Sequence, residues 1–107
     1  MPYLIVQSKW PSESTADLVK KAVEVSMKYP PDESLGEDVV PNAVHASHKG
    51  YRTIGITLVK EGKLEALWDR TVKAMAMYGP IHGLEYKIEV WATLEEAYAA
   101  IGQTPPG

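Results

Sequence analysis

The chain has 107 residues, a formal net charge of −3 at pH 7, 45% hydrophobic and 23% charged residues, which fits one globular domain, 1–107. Cysteine is absent, so disulfides, thiolate metal sites and cysteine nucleophiles are excluded. The basic residues are scattered, with Lys20-Lys21 the only adjacent pair, and lack the concentrated excess that holds nucleic acid.

"MPYLIVQSKW" is too short an apolar run for a signal peptide, and no stretch approaches the ~18 apolar residues of a membrane span. The expected location is cytoplasmic, with no membrane partner. "PYLIVQSKW" is rich in β-branched and aromatic residues and predicts a first strand over about Tyr3 to Lys9, ended by Pro11. "SESTADLVKKAVEVSMKY" predicts a helix with Ser14 and Asp17 as a capping-box-like start. Leu18, Ala22, Val25 and Tyr29 recur at helical spacing as its buried stripe, and Pro30-Pro31 stops it. A long acidic loop follows over 29–42, carrying Asp32, Glu33, Glu37 and Asp38 and no basic residue. It reads as a solvated surface loop or as a contact arm across a subunit interface.

"AVHAS" and "YRTIGITLV" predict two strands of a hairpin with Lys49-Gly50 as its turn. In the second of them Ile54, Ile56 and Leu58 alternate with Thr53, Gly55 and Thr57. After a turn at Glu61-Gly62, Leu64, Leu67, Thr71, Met75 and Tyr78 mark one face of a second helix, widened by Trp68 and Val72 and stopped at Gly79-Pro80. "LEYKIEVW" alternates strictly and predicts the last strand, Leu84, Tyr86, Ile88 and Val90 opposing Glu85, Lys87, Glu89 and Trp91. "TLEEAYAAIG" predicts a short helix with Thr93 and Glu96 as a capping box and Gly102 as its stop, followed by a frayed tail, 103–107.

The order β-α-β-β-α-β with a terminal helix is the split βαβ, or ferredoxin-like, plan: an α+β fold in which two helices cover one face of a four-stranded antiparallel sheet. If the apolar sets face the helices, the open face carries Gln7, Lys9, Thr53, Thr57, Glu85, Lys87, Glu89 and Trp91, joined by Tyr3, Ile5 and Tyr51. Such a face is not expected to stay in water.

From "YLIVQSKW" to "EEAYAAI" the chain resembles the small dimeric α+β barrel proteins. The resemblance is clearest in "EYKIEVWATLEEAYAAI", a last strand leading into an acidic-capped short helix, and in a His-bearing strand before a Gly-containing hairpin. It implies a homodimer or higher oligomer, with a ligand-sized space between sheet and helices or between two sheets. Members of that group include cofactor-free monooxygenases, lactone isomerases, haem-degrading enzymes and proteins without known activity, so the plan alone does not select a function.

His45 and His48 form a His-x-x-His pair. Residues three apart on a strand point to opposite faces, which argues against a shared metal. With Lys49-Gly50 as the turn, His48 lies opposite Tyr51, and His45 shares a face with Ile54 and Ile56 and so looks toward the helices. His45 and His82, the latter held between Pro80-Ile81 and Gly83, are the candidate catalytic acid–base residues. Tyr51, Arg52, Trp10, Tyr86, Lys87 and Trp91 are the candidate ligand-binding residues, Arg52 and Lys87 for a carboxylate and the aromatics as pocket walls. Such a pair as Lys87 and Glu89 is more often a cross-strand ion pair on a solvated or interfacial sheet than an acid and base. No phosphate loop, nucleophile elbow or regular metal-ligand spacing occurs, so no cofactor and no metal are expected. The expectation is a homodimer binding a small molecule beside the sheet. The alternatives are a cofactor-free monooxygenase or isomerase using a histidine, and a haem- or metal-binding barrel.

Overall fold

The computed structural model describes residues 1–106, so Gly107, the last residue of the expected tail, lies outside the described residues. Eight elements follow one another: β1 Tyr3–Trp10, a 3-10 turn Ser12–Ser14, α1 Thr15–Lys28, β2 Gly36–Ser47, β3 Gly50–Val59, α2 Leu64–Ala76, β4 Glu85–Trp91 and α3 Leu94–Ala100. The strands form one antiparallel sheet in the order β2-β3-β1-β4. This is a small α+β fold consistent with the ferredoxin-like plan. Among the described residues no helix is long and apolar enough to cross a membrane.

The helices form where periodicity places them. Leu18, Ala22, Val25 and Tyr29 in and just after α1 and Leu64, Leu67, Thr71, Met75 and Tyr78 in and just after α2 are all half-buried. Trp68 and Val72 do not widen the buried stripe of α2. They are 40% and 39% exposed.

The two caps differ. At α3 the expected box is complete: Glu96 N–H donates to Thr93 Oγ1 at 3.2 Å, and Thr93 N–H donates to Glu96 Oε1 at 2.8 Å. At α1 Ser14 is the N-cap without capping the helix, because its hydroxyl donates instead to the backbone oxygen of His82 at 2.5 Å. A long-range bond between loops has displaced the local one.

β2 begins well before the expected Ala43. Gly36, Glu37 and Asp38 pair with Val59, Leu58 and Thr57, so the acidic segment is half strand rather than one loop over 29–42. The register shifts between Asp38 and Val40 and again between Val40 and Ala43. These irregularities accommodate Pro41, which has no N–H to donate and is tolerated on an edge strand at a bulge.

The hairpin turn also moves. Ser47 pairs with Gly50, so His48-Lys49 are the two turn residues, not Lys49-Gly50. Ala46, not His48, lies opposite Tyr51. Gly50 is required all the same: its φ is 126°, and a Cβ there would sit 2.2 Å from the Trp10 carbonyl oxygen.

The larger departure is in β3. Leu4, Val6, Ser8 and Trp10 of β1 lie against the helices, with Tyr86, Ile88 and Val90 on the same side of β4. Register then carries Tyr51, Thr53, Gly55 and Thr57 to that side, and Ile54, Ile56 and Leu58 to the open face. The bulkier apolar set of β3 therefore points away from the helices, against the simple expectation. Tyr51, Thr53 and Thr57 leave the open face; Tyr3, Ile5, Gln7, Lys9, Glu85, Lys87, Glu89 and Trp91 occupy it as expected.

Replacing Gly50 with Ala should lower stability by more than about 3 kcal/mol, since it combines strain at positive φ with a backbone clash. Gly62→Ala, where φ is 76° and no atom lies within 4 Å of the added Cβ, should cost only about 1 kcal/mol. Urea unfolding of the two variants checks the difference.

Candidate functional site

Between the helices and the sheet lies a space of about 280 Å³. Its floor is Leu4, Val6, Ser8 and Trp10 of β1 with Thr53, Gly55 and Thr57 of β3; its roof is Leu18 and Ala22 of α1 and Thr71, Met75 and Tyr78 of the α2 segment. Pro41, Asn42 and Leu84 close its rim. The space exists because β3 presents small side chains there. Ile residues at 53, 55 and 57 would fill it; Thr, Gly and Thr leave it open.

Its polar groups are largely engaged with one another. Ser8 Oγ and Thr53 Oγ1 share a hydrogen bond at 2.5 Å across the β1–β3 pair. Thr57 Oγ1 donates to Asp38 Oδ1 at 3.0 Å. Trp10 is buried, donates its indole N–H to Thr15 Oγ1 at 3.2 Å and stacks on Tyr51 with ring centroids 5.7 Å apart. This pair forms a rigid aromatic corner that ties β1 and β3 to the start of α1.

Tyr78 lines this space and also a second, larger cleft bounded by Tyr29, Pro30, Asp32, Glu37, Asp38 and Arg70. Burial pushes its phenol above the ordinary tyrosine value, so at neutral pH Tyr78 is a protonated hydrogen-bond donor. Arg70 holds the cleft together by donating to the Pro30 carbonyl oxygen and lying over the Tyr29 ring at 5.6 Å. Ser34 N–H and Oγ–H both donate to Asp32, which holds the pKa of that carboxyl below its ordinary value.

The structure brings the candidate residues together only in part: Trp10, His45, Tyr51 and Arg52 line one hollow beside the hairpin, and Arg52, Tyr86 and Lys87 line another. Trp10, Tyr51 and Tyr86 are on the helix side of the sheet; Arg52, Lys87 and Trp91 are on the open side. His45 pairs with Arg52 and shares a side with Ile54, as expected, but that side is the open one, because β3 is turned the other way. His82 is exposed in the loop before β4, where its backbone oxygen accepts from Ser14, and His48 is exposed at the hairpin turn. No histidine lines the space beneath the helices, and His45 and His82 do not meet there. Among the described residues no group of three or more His, Asp or Glu is placed to hold a metal ion.

Lys87 does pair with Glu89, at 3.7 Å along β4, and Gln7 donates to the same carboxylate at 3.2 Å; the cross-strand pair is Lys9–Glu85 at 3.4 Å. The residues that pattern reading missed are Ser8, Thr53, Thr71 and Tyr78. Their signal was present in the Thr-Gly-Thr alternation of β3, but which side that alternation faces is a matter of register with β1.

Comparison with known proteins found no match to a family model, to a curated sequence or to a solved structure.

Because Tyr78 carries a raised pKa in the native state, the unfolded chain releases that proton first as pH rises. The contribution of Tyr78 should therefore be intact below about pH 10 and lost as pH climbs through the native value. Difference absorbance of wild type against Tyr78→Phe should show one phenol ionising later than free tyrosine. Stability of the wild type should fall faster than that of the variant in the same alkaline range.

Proposed function

We propose that the chain is a homodimeric α+β barrel protein that binds a small, uncharged molecule beneath its helices. The observation that carries this reading is the orientation of β3. Small side chains face the helices and leave a space near the lower end of ligand-pocket sizes, about 300–1,000 Å³. The large ones, Ile54, Ile56 and Leu58, lie half-buried with Tyr3, the buried Ile5 and the exposed Trp91 on the side away from α1 and α2.

A single copy carries little core. Leu4, Ile5, Trp10, Val59 and Ile81 are the buried apolar residues, and Trp91 is 53% exposed. The radius of gyration is 15.6 Å, against about 13 Å for a compact domain of this length. A second sheet laid on the open face would supply the missing contact. Four strands about 4.8 Å apart and about eight residues long give a face of roughly 500 Å² in projection and more in accessible area. That approaches the about 800 Å² per partner of a stable interface.

Tyr78 is the one ionisable side chain that lines the space, since no Asp, Glu, Lys, Arg or His reaches it. This favours a ligand recognised by shape, aromatic contact and hydroxyl hydrogen bonds, and a binding role over histidine acid–base catalysis in that space.

Sedimentation at micromolar concentration should give a dimer for the wild type and a monomer for Ile56→Lys, which places a charge in the middle of the open face. A monomeric wild type would overturn the dimer. Ala22→Phe should fill the space beneath the helices and weaken binding of the uncharged dye phenylnaphthylamine by about tenfold or more, read by its fluorescence, with sedimentation unchanged. Equal binding by both proteins would place the dye elsewhere.

A further inference from the structure

The open face is divided along its length, and only one half of it is apolar. Four cross-strand rows can be read from the register. Toward one end run Glu37–Leu58–Tyr3–Trp91 and Val40–Ile56–Ile5–Glu89; toward the hairpin run Ala43–Ile54–Gln7–Lys87 and His45–Arg52–Lys9–Glu85. The hairpin half thus gathers Arg52, Lys9 and Lys87 with His45 beside them, in a chain whose net charge is −3.

Two features set this half apart from an ordinary solvated surface. Arg52 lies directly opposite Lys9 on the neighbouring strand, a like-charge pairing that costs stability when nothing sits between the two cations. Lys9 is paired with Glu85 at 3.4 Å and Lys87 with Glu89 at 3.7 Å, whereas Arg52 makes no ion pair among the described residues. The surface between them is also concave, a hollow of about 320 Å³ lined by Gln7, Lys9, Arg52, Glu85 and Lys87 together with Ser8, Thr53 and Tyr86, the residues that alternate with them along the strands. A neighbouring hollow of about 350 Å³ is lined by Gln7, His45, Arg52 and Ile54. Arg52, Gln7 and Thr53 are common to both.

We propose that this hollow is a binding site for a small oxyanion, the carboxylate or phosphate group of a metabolite-sized ligand, with Arg52 as its principal anchor. The planar guanidinium offers two parallel N–H donors to such a group. Lys9 and Lys87 supply charge from either side, and the Gln7 amide is within the same lining. An anion held between Arg52 and Lys9 turns their repulsion into two attractions. The site is on the opposite side of the sheet from the space beneath the helices and does not depend on a ligand there.

The test is an amide and side-chain NMR titration with sodium phosphate and, separately, sodium acetate, at an ionic strength held constant with sodium chloride. Saturable shifts of the Arg52 Nε–H and Gln7 amide signals are expected with at least one of the two anions. Whichever saturates at lower concentration identifies the oxyanion. Arg52→Gln should weaken that binding by about tenfold or more. Arg52→Lys should fall between the two, and Lys28→Gln, on α1, should leave it unchanged. Shifts that stay linear, that chloride reproduces, or that persist in Arg52→Gln would overturn the proposal. Sedimentation of Arg52→Gln separates this result from the dimer: loss of anion binding with an unchanged sedimentation coefficient assigns the effect to the site itself.

Discussion

The pairing of β3 with β1 is the constraint on which the rest of the structure depends. Tyr3 sits opposite Leu58 and Trp10 opposite Tyr51, and every pair between them follows. Because side chains alternate along a strand, this one register assigns each residue of β3 to a face, and a slip of one residue would exchange the two sets. The Trp10–Tyr51 stack and the Ser8–Thr53 hydrogen bond are both formed in the observed register. Gly50 allows the strand to begin against the Trp10 carbonyl, where a side chain would not fit.

From that register come both halves of the functional reading. Thr53, Gly55 and Thr57 lie under the helices, too small to fill the layer, and the space lined by Tyr78, Thr71 and Trp10 follows. Ile54, Ile56 and Leu58 lie on the other side, away from α1 and α2. In β3 alone the larger apolar residues point away from α1 and α2, while β1 and β4 direct Leu4, Val6, Trp10, Ile88 and Val90 toward them. The face away from these helices ends in a basic half, so cover by apolar contact and attraction for anions are separated along one surface rather than mixed.

The loops are tied down by polar contacts rather than by apolar packing. Ser14 reaches the His82 backbone, Arg70 reaches Pro30, and Ser34 grips Asp32. These bonds fix the entry to α1, the end of α1 and the start of β2. They also define the cleft that shares Tyr78 with the inner space. Of these residues Ser14 had a different expected role, as the cap of α1.

Local chemistry alone determined the elements. The strict alternation of 84–91, the helical stripes of α1 and α2, and the Thr93–Glu96 box are short-range properties, and they survive in the fold because neighbours in sequence decide them. The order β-α-β-β-α-β followed, and with it a four-stranded antiparallel sheet with helices. What the tertiary structure alone decided was side and register. The alternation of β3 says that Ile54 and Thr53 face opposite ways, but only the pairing with β1 says which of them meets the helices. The start of β2 at Gly36 and the turn at His48-Lys49 were likewise set by partners on β3. His45 was therefore read with the correct neighbours, Ile54 and Ile56, on the wrong side of the sheet, because facing is a relation between strands and not a property of one.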